Sequence, residues 1–431
     1  PESRPRRRFV ECDVDGDGEV LQMRVPSETG AWRLSDEDDR LLVPRKPWDR
    51  EGPFYDLYAE GRFSDEAADD PRRPVDGDPH GLDFNRNFPY RWQPEQRQSG
   101  AGDYPTSEPE VRAVVDFLTD HRNVFGAISL HTLSGVLLRP FSDRPDAELP
   151  DFDRAVYEEL GERCEERTGY ESASAYHEFR AEGEEPIRGA FDDWAYNDLG
   201  IQAFTFELWS PWREAGLDFT GEYPRFFRHR SEEENLALLT WNDDELDGEA
   251  FVDWRSFDHP QLGRVEIGGW RRLYSLRNAP PSLLGERADR ASAFVIDHAR
   301  SGPDPRLSLE AERLEGELWR VRARLENHGY LPTDATRRAR NQSADPPLHL
   351  ELESPDGLEL VEGEAHRRTH HLDGYANVNR PDRSAFTWRG ETREHVDRHT
   401  WLLRGEGAVR VVWRGEGIGE LEASVDLTPE S

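Results

Sequence analysis

The spacing of apolar residues changes character twice along the chain. Residues 1–80 are rich in Asp, Gly, Pro and Arg and show little periodicity, which predicts long loops with short strands. From about 81 to 245, helix-like and strand-like patterns alternate. Val111, Val114, Val115 and Leu118 form one helical face behind Ser107 and Glu110, a pair spaced as a capping box. A buried strand is expected around Phe125–His131. Helices are expected over 151–169, stopped by Gly169, and over 187–199, with Ile187, Phe191, Trp194 and Ala195 on one side and Gly200 as the stop. A strand spans Ile201–Leu208, and Ser231 with Glu234 opens a further helix through Leu239.

After residue 245 the pattern differs again. Residues 246–300 read as a Pro- and Gly-containing connector with one helix near 286–299. From 305 onward the period is two: Trp319, Val321, Ala323 and Leu325 alternate with Arg320, Arg322 and Arg324, and Leu421, Ala423, Val425 and Leu427 repeat the scheme. Such segments, separated by turn residues, predict a β-sandwich-like module. The expected organisation is an α/β domain over 1–245, a connector over 246–300 and a β-rich accessory domain over 301–431.

Charge changes the picture of the surface. The chain carries 89 acidic and 55 basic residues, a net charge of −34, and its one lysine is Lys46. A carboxylate-covered, lysine-poor surface suits concentrated salt, where repulsion is screened within a few Å, so a halophilic source is expected. The same charge argues against a nucleic-acid partner, which needs a basic surface. No apolar run of about 18 residues is present, so no membrane span is expected. The chain opens on Pro1, and its one methionine is Met23. The expectation is therefore an N-terminally incomplete sequence whose compartment, secreted or high-salt cytoplasm, stays open.

Three segments carry candidate chemistry. In Gly81-Leu82-Asp83-Phe84-Asn85-Arg86-Asn87-Phe88-Pro89, a guanidinium and an amide sit side by side between aromatics, an arrangement suited to a carboxylate. A structural ion pair is the alternative for Arg86. His131, in Ser129-Leu130-His131-Thr132, lies where a strand ends, a place where α/β proteins put their sites. A neutral imidazole there can bind a metal or can be a satisfied core histidine. Glu207, in Phe204-Thr205-Phe206-Glu207-Leu208-Trp209, is a carboxylate in an otherwise apolar strand. It needs a partner, a metal or a task, and desolvation would make it a fair general base.

Read together and in this order, the segments resemble the M14 family of zinc carboxypeptidases. The match is Asp83-x-Asn85-Arg86-Asn87, then His131, then Thr205-Phe206-Glu207-Leu208. It extends through Ser107-Glu108-Pro109-Glu110 and Asp193-Trp194-Ala195-Tyr196-Asn197, over roughly residues 10–245. The resemblance implies a mixed central sheet with helices on both faces and one catalytic Zn²⁺. It implies His131 as a zinc ligand, Glu207 as the general base, Asn85 and Arg86 as the clamp on the substrate's terminal carboxylate, and Arg24 as the candidate oxyanion-stabilising arginine. It places Asp192 at the base of the side-chain pocket, where a carboxylate would favour peptides ending in Lys or Arg.

The sequence also departs from the family. The family's His-x-x-Glu motif, which supplies two zinc ligands, is absent upstream of Asn85. The one His-x-x-Glu, His229-Arg230-Ser231-Glu232, follows Glu207 and reads as an accidental match. With His131 alone, the chain as written is expected to bind zinc poorly and to be poorly active by itself. The family's mobile Tyr has no counterpart in Glu182-Gly183-Glu184-Glu185-Pro186, and neither Tyr176 nor Tyr196 fits its place. Separately, Asp13-Val14-Asp15-Gly16-Asp17-Gly18 spaces Asp13, Asp15 and Asp17 as a Ca²⁺ loop does, without the Glu expected at loop position 12. Three functions stay open: a metallocarboxypeptidase acting on peptide or protein C-termini, a non-catalytic protein that binds C-terminal carboxylates, and a related amidase acting on cell-wall or modified peptides.

Overall fold

The computed structural model describes residues 8–64, 81–180, 185–217, 223, 230–342, 347–355, 357–378 and 394–428. Its central feature is a mixed four-stranded sheet, ordered Gly126–Thr132, Gln202–Leu208, Val136–Arg139 and Glu171–Ser174. Gln202–Leu208 runs parallel to Gly126–Thr132 and antiparallel to Val136–Arg139, which pairs in parallel with Glu171–Ser174.

Alternation along Gln202–Leu208 divides its residues between two helical layers. Phe204 and Phe206 pack with Tyr157 and Leu160 of helix Asp151–Thr168 and with Phe294 of helix Pro281–Arg300. Ala203 packs on the other side with Val111 of helix Pro109–Asp120 and Trp194 of helix Phe191–Leu199. Helices therefore cover both faces, as expected, and the strand is buried over nearly its whole length. The Gly126–Thr132 strand differs from expectation. It has one neighbour among the described residues, and Leu130 is 60% exposed.

The helix ends show which local signals held. Ser231 and Glu234 form the expected capping box at the start of Glu232–Leu246. Ser107 and Glu110 do not. The helix starts at Pro109, whose ring fixes the first helical φ and brings no N–H, and Glu108 is the N-cap. Ser107 Oγ instead donates to Glu108 Oε1 at 2.7 Å.

A second sheet of six antiparallel strands joins the N-terminal region to the segment expected as a connector. Phe251–His259 and Gly263–Trp270 form a hairpin, and Gly263–Trp270 pairs with Gln22–Pro26, followed by Phe54–Ala59, Trp32–Leu34 and Leu42–Pro44. Met23, Val265 and Ile267 are completely buried at its centre. The partners lie some 240 residues apart (Arg24 faces Glu266), so no local pattern announces the pairing.

Toward the C-terminus, two four-stranded antiparallel sheets enclose an apolar core that includes Trp319, Val321, Leu325, Trp401, Val411 and Trp413. This region is tied to the helical layer of the central sheet. Thr336 Oγ1 donates to the Gly200 carbonyl at 2.7 Å, and the buried Asp153 carboxylate accepts the N–H groups of Arg337 at 2.6 Å and Arg338 at 3.0 Å.

Candidate functional site

The loop carrying Asn85 and Arg86 hangs from Asn87, which is completely buried. Asn87 Nδ2 donates to the carbonyls of Ala101 at 2.7 Å and Tyr104 at 2.9 Å and to Ser107 Oγ at 3.0 Å, while Oδ1 accepts the Glu108 N–H at 3.2 Å. The side chain thus bonds the loop to the entry of helix Pro109–Asp120. Gly189, at φ +67°, lies against the Arg86 carbonyl with no room for a Cβ. Asn85 Oδ1 accepts the Phe191 N–H at 2.8 Å, which joins the loop to the start of helix Phe191–Leu199. Asp83 Oδ1 accepts the Asn85 N–H at 2.9 Å, and Arg86 lies 3.4 Å from Asp83 Oδ2. The Arg86 side chain keeps 23% of its surface open to solvent, so the guanidinium can be reached.

The two parallel strands bring the remaining candidates together. Glu207 and His131 face each other in register, and Glu207 Oε1 lies 3.6 Å from His131 Nδ1, longer than a hydrogen bond. His131 Nε2 is 3.0 Å from Ser129 Oγ, two residues back on the same face. Burial pushes the Glu207 carboxyl up to about 7; Arg86 pulls it down and Asp83 pushes it up. Burial also lowers His131, with Asp83 acting in the opposite sense. The imidazole is therefore held neutral while its carboxyl neighbour titrates near neutrality, the condition for a proton acceptor. Asp83, Arg86, His131 and Glu207 act on one another as a single electrostatic cluster.

Helix Phe191–Leu199 adds two buried acids with different fates. Both oxygens of Asp193 accept the Ser142 N–H, at 3.0 and 3.1 Å. Asp192 is 2% exposed, and burial pushes its carboxyl up to about 6, with Arg86 opposing the shift. Asp192 thus belongs to the field of the same arginine.

Other candidates lie apart from this cluster. Arg24 is buried in the six-stranded sheet, where its Nε donates to Glu266 Oε2 at 2.8 Å and its NH1 to the Asp39 carbonyl at 2.9 Å, beneath the rings of Tyr55 and Trp254. Its charge is spent there, and the cation acting on Glu207 is Arg86. Tyr196 is locked by a 2.7 Å bond to Asp153 Oδ2. His229 and Glu182–Glu184 lie outside the described residues.

A zinc centre needs three protein ligands. Among the described residues the one group of three clustered metal-type ligands is Asp13, Asp15 and Glu60, and none gathers around His131. The described residues therefore do not make up a zinc site. The expected calcium loop is not supported either. Asp13 accepts the N–H groups of Gly16 and Gly18, Asp15 that of Asp17, and Asp17 that of Glu19, while Arg255 pairs with Asp15 at 3.3 Å and Asp17 at 2.5 Å.

Two contributors were not assigned from sequence. Ser129 is the polar partner of His131, and the alternation that puts them on one face was its signal. Asp83 biases both titrating groups, and its place in the Asn-Arg segment was the hint.

Residues 55–223 match the family model described as zinc carboxypeptidase, and residues 307–426 match a domain of unknown function. Carboxypeptidase A4 of Mus musculus is 35% identical over 142 residues, 30% of this chain and 31% of that protein. Carboxypeptidase B2 of Bos taurus is 36% identical over 145 residues, 30% of this chain and 32% of that protein. The chain thus spans about a third of the length of the curated relatives it matches. A crystal structure of thrombin activatable fibrinolysis inhibitor is 29% identical with a TM-score of 0.25, covering 37% of this chain and 41% of that one.

Proposed function

Residues 55–223 carry the zinc carboxypeptidase family domain, and on that premise we propose that the protein recognises the C-terminal residue of a peptide and hydrolyses the bond before it. The observation that carries the reading is Glu207, a buried carboxyl titrating at about 7 beside a neutral imidazole and under the influence of Arg86. Arg86 and the amide nitrogen of Asn85 take the terminal carboxylate, a charge-assisted recognition that a peptide amide cannot satisfy. Glu207 accepts the proton of the attacking water and returns it to the leaving amine. Asp192 gives the pocket a preference for a terminal Lys or Arg. The family implies zinc, and the described residues provide one ligand, His131, of the three such a centre needs. That shortage favours a second reading, recognition of C-terminal carboxylates without cleavage.

Calorimetry with an Arg-ending tripeptide and its C-terminal amide, followed by mass spectrometry in the presence of added Zn²⁺, separates the readings. The expected result is binding of the free acid alone, with release of the terminal Arg. Equal binding of the amide overturns C-terminal recognition. Binding without release leaves the second reading.

A further inference from the structure

A cleft of about 1100 Å³ opens at the C-terminal end of the His131 strand, between the six-stranded sheet and helix Glu232–Leu246. Leu133, two residues beyond His131, lines its wall, and Thr132 Oγ1 donates to the Arg277 carbonyl at its rim. The cleft therefore begins next to the strand end that carries His131. Its walls combine indoles, from Trp212, Trp254 and Trp270, with cations.

The charge of this cleft is opposite to that of the molecule. On a chain of net charge −34, Lys46, Arg230 and Arg277 all line it and all are exposed. Among the described residues none of the three forms an ion pair within 4 Å, although the charge of Glu234 acts on Arg230 from further away, whereas most of the described arginines do. The other cations on the wall are neutralised: Arg33 by Asp49, Arg40 by Asp38 and Asp243, and Arg272 by Glu11. Glu232, the remaining acid, accepts Ser35 Oγ at 2.6 Å. With 89 carboxylates in the chain, three cations without an ion pair among the described residues, one of them (Arg230) over the Trp212 ring at 5.7 Å, present in one aromatic groove a complementary surface to an anionic chain.

We propose that this cleft binds an acidic peptide segment, the stretch of substrate immediately upstream of the C-terminal residue held at Arg86. The proposal rests on the C-terminal recognition proposed above and extends it to the substrate class: chains whose last residue follows a run of Asp or Glu. Indole faces support the extended backbone, and Lys46, Arg230 and Arg277 receive the carboxylates.

The test uses hexapeptides with one terminal residue and either Glu or Gln at the three preceding positions, each as free acid and as amide, titrated into the wild-type protein and K46Q/R230Q/R277Q at low salt. At these exposed sites each ion pair contributes little, so together they are expected to give about a tenfold tighter Kd for the Glu peptide. That advantage should vanish in the triple variant and in 1 M salt, with the Gln peptide unchanged. Equal affinity of Glu and Gln free acids overturns the cleft proposal while leaving C-terminal recognition intact. An amidated Glu peptide that binds as tightly as its free acid, and loses binding in the triple variant, supports the cleft and overturns C-terminal recognition; an amide that binds more weakly than the acid supports both. Failure of every acidic peptide to bind overturns the cleft.

Discussion

Two groups of carboxylates, alike in the sequence as metal or catalytic candidates, differ in what their oxygens touch. In the Asp13–Asp17 loop the oxygens are taken up by the loop's own N–H groups and by Arg255. The acids stabilise a turn, and at Asp17 desolvation is outweighed by the Glu19 N–H and the Arg255 guanidinium, which together hold its carboxyl below the ordinary value. Glu207 sits in a strand buried over most of its length, with a neutral imidazole as its close polar neighbour. Its charge is costly, and its proton is exchanged near neutral pH. A carboxylate becomes reactive by being left unsatisfied in a dry place, and it becomes structural by being satisfied in a wet one.

The largest expected effect lies at Glu207. Glu207→Gln keeps the shape and removes the base, so peptide turnover should fall about 10²–10⁴-fold with Kd for the peptide nearly unchanged. Turnover within a factor of a few of wild type would break the contrast between the two regions.

The second effect concerns stability. Folded Glu207 titrates at about 7 instead of its ordinary 4.5, so between these values the folded protein keeps a proton that the unfolded chain has lost. Stability therefore falls as pH rises through this window, by up to about 3 kcal/mol. Asp192 adds to the same slope between its ordinary 3.8 and about 6. Glu207→Gln should flatten the decline in denaturant melts from pH 4.5 to 8. An unchanged slope would mean that burial is not what sets this carboxyl. Activity should run the opposite way, rising through pH 7 as the base ionises.

Third, Arg86→Gln should weaken binding of a free-acid peptide by about 2 kcal/mol, roughly thirtyfold, without affecting the amide. It should also raise the pH of the activity limb, since Arg86 holds Glu207 down. The smallest effect is expected in the acidic loop: 1 mM Ca²⁺ should leave Tm unchanged within about 1 °C. A saturable increase that Asp13→Asn abolishes would erase the distinction between the regions.

Much of the central sheet was legible because its signals are local. Gly169 and Gly200 stop helices at φ +77° and +72°, and the apolar run Ile201–Leu208 made Glu207 conspicuous. The tail's period of two was equally plain, because each residue pair alternates between core and solvent. The six-stranded sheet was not legible. Two of its N-terminal strands have three residues each, and the Arg24–Glu266 pairing that spends the candidate arginine joins residues far apart in the chain.

The sequence by itself determined which residue types could do chemistry: an Asn-Arg pair, a strand-end histidine and an acid in an apolar strand. It also determined the elements that carry them, because helix stops and strand alternation act over a few residues. Only the tertiary structure decided which of these groups meet. Parallel register set Glu207 against His131, Asn87 bound the Arg86 loop to a helix entry, and a distant strand withdrew Arg24. Desolvation and ion pairing depend on everything packed around a group, so the protonation of Glu207 and the satisfaction of the acidic loop are properties of the fold and not of the local sequence.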